Sequence, residues 1–346
     1  MKAKDRLLLI FMILLFCELT FADMLSERWN YYKKTFISDD GRILDLQNNS
    51  ISHSEGQGYG LLLSVLFDDR ETFEKVWKWT KFNLQTRKGD NLLAWSWGKH
   101  ISGKWTVLDY NNATDGDSLI AYALCLAGKR WGKSEYLEEA KKIIRDIREF
   151  LIVKKDDNLY LLPGYYGFYR EDSLILNPSY YVLPAYKVFA KVEERNFWEN
   201  FYSESVSFLE KISFGQYGLP PDWIILKNND ISIFSEKTNT FGFEAIRVLL
   251  YSVMADEWRI VGKFKKFLSL IENVNYVPQD IDLKEEKISS QDGMAMHYLI
   301  VSALAKKLGK NELAEALKSR GLKKLEEEKN YYSYTLSLIV LKEEER

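Results

Sequence analysis

The chain has 346 residues, with 48 Lys and Arg against 50 Asp and Glu, and its formal net charge of −2 gives no basis for a polyanionic partner such as nucleic acid. Its three histidines, His53, His100 and His297, lack metalloprotease spacing and it has only two cysteines, so neither a zinc site nor a disulfide framework is expected. Dinucleotide and phosphate-loop patterns are absent, so no cofactor is expected, while 10 Trp and 21 Tyr could line a cleft as well as fill a core.

At the N-terminus Lys2, Lys4 and Arg6 precede an apolar run over residues 7–17, and Thr20-Phe21-Ala22 offers small residues at alternate positions. This reads as a secretory signal peptide, residues 1–22, cleaved after Ala22. The apolar run is well short of the ~20 residues a spanning helix needs, and bulky Phe16 argues against lipid attachment at Cys17. Removing three basic and two acidic residues would leave 324 residues, a charge of −3 and Cys125 as the only cysteine. Such a leader predicts export across a membrane.

Helical periodicity then recurs over 24–37, 54–68, 70–84, 116–131, 134–151, 178–191, 196–211, 239–255, 257–270, 291–308, 311–327 and 330–343. Links as short as Asp68-Asp69, Gly132-Lys133 and Gly309-Lys310 favour antiparallel hairpins, and six in a row predict a closed ring. Between them, 85–112, 159–176 and 214–238 are long, rich in Trp, Tyr, Gly and Pro, and poor in helical period, as functional loops often are. Short hairpin strands are predicted for 159–162 with 167–169, and for 223–226 with 231–234. No Ser/Gly linker divides the chain, which predicts one domain over residues 23–346.

Three carboxylate motifs carry the chemistry. Ser54-Glu55-Gly56-Gln57-Gly58-Tyr59-Gly60 sets an acid among glycines ahead of an apolar run, suiting a buried proton donor. Ser54 as a cap, with Glu55 complementing the helix dipole, is the plainer reading, but three glycines weaken a helix by ~1 kcal/mol each, which calls for a close approach by a ligand or another helix. Asn112-Ala113-Thr114-Asp115-Gly116-Asp117 repeats the plan, with helix capping as the plainer role for both aspartates. Phe243-Glu244-Ala245-Ile246-Arg247 puts an acid and a base three apart among apolar neighbours, as an ion pair whose Arg247 would position Glu244 and keep it ionised. Separated carboxylates among many aromatic rings point to sugar chemistry.

Several of these motifs together resemble the family 8 glycoside hydrolases, above all the periplasmic endoglucanases of bacterial cellulose-synthesis systems. The likeness rests on Ala113-Thr114-Asp115-Gly116-Asp117 with Ile120-Ala121, Ala123-Leu124, Ala127 and Trp131, and on the Ser54–Gly60 motif. Ala94-Trp95-Ser96-Trp97-Gly98, Leu162-Pro163-Gly164, Asn177-Pro178-Ser179-Tyr180-Tyr181 and Pro221-Asp222-Trp223 follow in the family's order. The resemblance implies an all-α (α/α)6 barrel of six helix hairpins, with long loops and short β-hairpins at the active-site end. It further implies hydrolysis of β-1,4 linkages with inversion, Glu55 serving as acid and Glu244 as base. Where the family has Tyr-Asp-Ala, this chain has Phe243-Glu244-Ala245, one methylene longer.

On that basis Asp115 would bind hydroxyls of the sugar at the cleavage point, and Asp117 would cap the helix, orient Asp115 or touch substrate. Trp95, Trp97, Trp105, Tyr180, Tyr181 and Trp223 are the stacking candidates, with one of the two tyrosines facing the site. The expected partner is a β-1,4-glucan chain, met by a monomer associated with a cellulose synthesis or export system. Xylan, chitosan and mixed-linkage glucan, cut by related members, are alternative substrates. A glycan-binding protein retired from catalysis by the change at Glu244 is the alternative of another class.

Overall fold

Residues 21–345 are described by a computed structural model, mostly helical with short antiparallel sheets. Of the expected leader, only Phe21 and Ala22 belong to the described residues, and both fall in helix α1, residues 21–36.

Two kinds of helix alternate along the chain. In α2 (Ser54–Leu66) every residue but Glu55 is buried, and α4 (Thr114–Trp131), α11 (Ala295–Lys307) and α13 (Tyr331–Glu343) are buried on all sides over most of their length. Helices apolar all round belong inside. By contrast α3 (Arg70–Asn83) buries the stripe Phe73, Val76, Trp77 and Thr80, and α5 (Ser134–Asp146) buries Tyr136, Ala140, Ile143 and Ile144. That three-to-four spacing lets one face dock while the other stays wet.

With α6 (Leu183–Phe189), α7 (Arg195–Lys211) and α8 (Ile246–Met254), contacts among the inner helices pass from α2 through α4, α6, α8, α11 and α13, then back to α2. The circle is closed. Outside it α3 packs on α2, α5 on α4, α7 on α6, and α12 (Asn311–Glu327) on α11, while α9 (Trp258–Val261) and α10 (Lys265–Val274) follow α8 in the chain.

Short sheets gather ahead of the inner helices. The order β1 (Ser52–His53), β2 (Ala94–Lys99), β3 (Trp105–Asn112) feeds α2 from β1 and α4 from β3. A second sheet joins β6 (Ser173–Leu176), β7 (Ile224–Lys227) and β8 (Asp230–Ile233), and a third joins β9 (Thr240–Phe241), just ahead of α8, to β10 (Ile281–Asp282) and β11 (Lys287–Ile288), which precede α11. The hairpin expected around 223–234 is present as β7 with β8. Residues 159–162 depart from expectation, because β5 (Asn158–Leu161) pairs back with β4 (Ile152–Lys155) and Tyr169 bridges Leu174 instead. Asp156 and Asp157 form the two-residue turn, with φ of 48° and 64°, the left-handed geometry that joins tight hairpins.

Helix ends also move where local chemistry interrupts the period. The segment expected at 178–191 opens as a 3₁₀ turn over Pro178–Tyr180, and α6 begins only at Leu183, with a proline in its first turn. The 134–151 prediction ends as α-helix at Asp146 and continues as a π turn, Ile147–Leu151. The 257–270 stretch divides around Gly262, and the 239–255 helix starts at Ile246 because residues 240–241 are strand.

The tightest joint in the ring is between α2 and α4. A Cβ on Gly58 would lie 2.7 Å from Leu119 Cβ, and one on Gly116 would lie 2.7 Å from the Glu55 amide nitrogen. The two helices cross almost backbone to backbone. Gly116→Ala should therefore lower stability by about 1–3 kcal/mol despite alanine's better helix propensity, measured as a lower urea midpoint at unchanged slope.

Candidate functional site

The inner helices α2, α4, α8 and α13 start at one end of the ring, and their first residues surround a cavity of about 270 Å³ lined by Glu55, Trp95, Asp115, Tyr180, Glu244 and Arg247. Asp45, His53, Ser54, Ala113, Phe243, Tyr331 and Tyr332 complete the wall. Glu55 and Asp115 lie in the first turns of α2 and α4, where the positive helix end favours a carboxylate.

Arg247 is the hub. Only 2% exposed, its Nη1 donates to Glu55 and, at 2.8 Å, to Asp115 Oδ2, while Nη2 donates to Ser179 Oγ at 2.8 Å. The expected direct pair with the Glu244 carboxylate is thus corrected. Residue 244 sits in the turn before α8, not on it, and the Arg247 Nε reaches only its backbone oxygen, at 3.4 Å. Arg247 instead acts on Glu244 at a distance: Ser179 Oγ donates to Asn177 Oδ1 at 2.7 Å, and Asn177 Nδ2 donates to Glu244 Oε2. Every donor in this chain points toward Glu244, an order in which successive bonds strengthen one another.

Burial pushes the Glu55 carboxyl up to about 8, outweighing the pull of the Arg247 guanidinium, and the charges on Asp115 and Glu244 push the same way. The sequence offered no neighbouring cation; the fold brings one and desolvation still prevails. Around the hub the phenols of Tyr59, Tyr180, Tyr331 and Tyr332 are held well above their ordinary value, chiefly by burial.

The turn carrying Glu244 is shaped by Asp222, whose Oδ1 accepts the amides of Gly242 at 3.1 Å and Ala245 at 2.7 Å and whose Oδ2 accepts the Thr240 hydroxyl at 3.2 Å. Burial raises its carboxyl to about 6, against those amide bonds. Asp222, Asn177 and Ser179 were visible only as parts of motifs. The signal available was the Asn-x-Ser spacing, a side chain folding back on the backbone two residues ahead.

Of the aromatic candidates, Trp95 lines the cavity and stacks on His53, with ring centres 5.6 Å apart, and Tyr180 lies under the guanidinium at 5.6 Å. Tyr181 is corrected: its ring packs against Phe208 at 5.2 Å in the core and its hydroxyl accepts the Leu161 amide at 3.0 Å. Asp117 is corrected as well, because it is fully buried and ties down the preceding loop, accepting the Leu93 amide at 2.8 Å and Asn112 Nδ2 at 2.7 Å. Trp223 is nearly buried against Ile175 and Phe234, with the Lys237 ammonium 3.3 Å from the ring centre, so no open face remains. Trp97 lies outside the lining and stacks on Trp105 at 5.3 Å, with Arg42 packed against both rings. Among the described residues no group of His, Cys, Asp and Glu has the arrangement of a metal site.

The model of the glycosyl hydrolases family 8 matches residues 6–346. A probable endoglucanase of Novacetimonas hansenii is 33% identical over 322 residues, which is 92% of this chain and 90% of that protein. Among solved structures, the endo-beta-1,4-glucanase CMCax of Acetobacter xylinum superposes with a TM-score of 0.83 at 31% identity, covering 94% of this chain and 98% of its own. The endoglucanase Cel10 of Klebsiella pneumoniae, a family 8 glycosyl hydrolase, superposes with a TM-score of 0.82 at 29% identity, over 92% of this chain and 100% of its own.

The raised Glu55 carboxyl has a stability consequence with a definite sign. The folded state binds that proton more tightly than the unfolded chain, so the contribution is full below about 4.5 and is lost as pH rises through about 8. Glu55→Gln should remove this slope. Urea unfolding across that window should find the parent losing stability relative to the variant as pH rises; parallel curves would contradict the assignment.

Proposed function

The chain belongs to family 8 of the glycosyl hydrolases and is an endo-1,4-β-glucanase; we propose that it cuts β-1,4-glucan by a single displacement with inversion, Glu55 acting as acid and Glu244 as base. The observation that carries this is the meeting of Glu55, Asp115 and Glu244 in one cavity, with a lone guanidinium bonded to the first two. Arg247 needs one anion beside it, and Asp115 supplies that anion. Glu55 can then hold a proton at neutral pH without leaving the cation unpaired.

In the proposed step Glu55 gives its proton to the glycosidic oxygen as the bond to the anomeric carbon breaks. A water on the other face of the ring loses its proton to Glu244 and attacks that carbon. Inverting chemistry needs the two carboxyl groups about 6.5–9.5 Å apart, enough room for that water. Asp115, with the oxygen that Arg247 leaves unused, accepts hydroxyls of the distorted sugar. Trp95 supplies a flat face for a neighbouring unit, and Asn177 fixes the rotamer of Glu244. No step calls for a cofactor.

We further propose that the circle of inner helices with its outer partners is an (α/α)6 barrel. In this reading it forms a single catalytic domain over residues 23–346, released after a leader of residues 1–22. The enzyme would work as a monomer in the periplasm or outside the cell, in company with a cellulose synthesis or export system and without nucleic acid.

Glu55→Gln and Glu244→Gln should each lower kcat on soluble β-1,4-glucan by about 10²–10⁴-fold. NMR of the first product should show the α-anomer, and a β-anomer would rule out the single displacement. In the pH profile kcat/KM should fall above about 8 as Glu55 loses its proton.

A further inference from the structure

Three carboxyl groups face the catalytic cavity, and the guanidinium among them is fully engaged. Arg247 gives its donors to Glu55, Asp115 and Ser179, and its charge is matched by Asp115. Among the described residues no cation pairs directly with Glu244, whose carboxylate is bonded by Asn177 instead. The groups that feel its charge are Glu55 on α2, Asp222, Tyr180, Tyr332 on α13, and Lys237. Asp115 on α4 and Arg247 on α8 share its cavity. Apart from the engaged arginine, Lys237 is the one cation of the set.

Lys237 is anchored on the same dipeptide that shapes the turn of Glu244. Asp222 accepts the amides of Gly242 and Ala245, on either side of that residue, and the next residue, Trp223, carries the Lys237 ammonium 3.3 Å from its ring centre. An indole face is the strongest aromatic seat for a cation. The backbone between is tied down: the Phe234 amide donates to the Trp223 carbonyl and the Lys237 amide to the Phe234 carbonyl, both at 3.0 Å. The Thr238 and Thr240 hydroxyls bond each other at 2.7 Å, and Thr240 donates to Asp222 Oδ2 at 3.2 Å. The Trp223 ring in turn meets that of Tyr180, centres 6.0 Å apart, and Tyr180 lines the cavity beside Glu244.

We propose that Lys237 is the counter-charge of the base, a cation seated on Trp223 that holds Glu244 in its ionised form within a cavity crowded with acids. This rests on the reading of Glu244 as base. Lys237 lies outside the cavity wall, so its charge reaches Glu244 through space and leaves the sugar untouched. Partial burial pushes the ammonium below the usual lysine range, while the charge on Glu244 pulls the other way. A partly desolvated charge is damped less than one in bulk water. The two cations thereby divide the work. Arg247 pairs with Asp115 so that Glu55 keeps its proton, and Lys237 opposes protonation of Glu244, which sets the two carboxyls of one site in opposite states.

The test is the pH profile of kcat/KM on cellopentaose, an uncharged substrate. It compares the parent with Lys237→Met, Lys237→Arg and Lys227→Met, the last removing an equal charge from β7, where Lys227 pairs with Asp172. Lys237→Met should move the acid limb to higher pH, so that kcat/KM on that limb falls by about threefold while the alkaline limb stays in place. Lys237→Arg should restore the limb, and Lys227→Met should match the parent. An unmoved acid limb in Lys237→Met would overturn the counter-charge. So would an equal loss at every pH, which marks a packing role for the lysine stem over Trp223, or an acid limb that arginine fails to restore. The base reading fails separately: Glu244→Gln would then keep the parent's activity whatever the Lys237 variants do, and the premise would be gone.

Discussion

A single buried guanidinium organises the site. Three carboxyl groups facing one cavity repel each other and lose hydration, and a buried charge without a partner costs several kcal/mol. Arg247 answers this by bonding Glu55 and Asp115 directly, with Asp115 as deeply buried as the arginine itself. The Arg247–Asp115 pair is self-neutralising, and Glu55 becomes the group whose charge the site can do without. Removing the arginine would leave two buried acids sharing no cation, a loss on the order of 3–5 kcal/mol, which makes the residue structural and chemical at once.

Those side chains come from positions 55, 115, 179 and 247, and only the ring makes them neighbours. Because the inner helices run the same way, their unsatisfied amide ends meet at one mouth, where carboxylates are favoured. Dense packing between α2 and α4 sets how near Glu55 and Asp115 can come, and it depends on glycine at the crossing. The fold therefore fixes the spacing of the acids through backbone contact, a less compliant link than side-chain packing.

Sequence patterns were legible where one rule governed a stretch. Inner helices buried all round and outer helices with one apolar stripe both keep the helical period, so most elements lie within a few residues of expectation. Glu55 and Asp115 could be read because acids set among small residues at helix starts are unusual. The three-residue spacing of Glu244 and Arg247 predicts a shared helical face, whereas Asp222, distant in sequence, holds residues 242–245 in a turn. The same limit applies to Tyr180 and Tyr181. Adjacent residues leave a 3₁₀ turn in different directions, and only the strand pairing around Leu161 decides which ring goes to the core.

Glu244 brings a side chain one methylene longer than aspartate to the place where reach matters most, and the surrounding bonds bear on how that length is absorbed. Its backbone cannot retreat freely: Asp222 holds the amides on either side, and the Tyr332 hydroxyl donates to the Phe243 carbonyl at 3.2 Å. The extra methylene must then be taken up in the side-chain torsions, and a misplacement of about 1 Å can cost on the order of 100-fold in rate. Asn177 supplies the restraint that a flexible glutamate lacks, because its own orientation is set by Ser179 and, through it, by Arg247. One cation thus pairs with Asp115, which lets the acid keep its proton, and, by way of two neutral side chains, sets the geometry of the base.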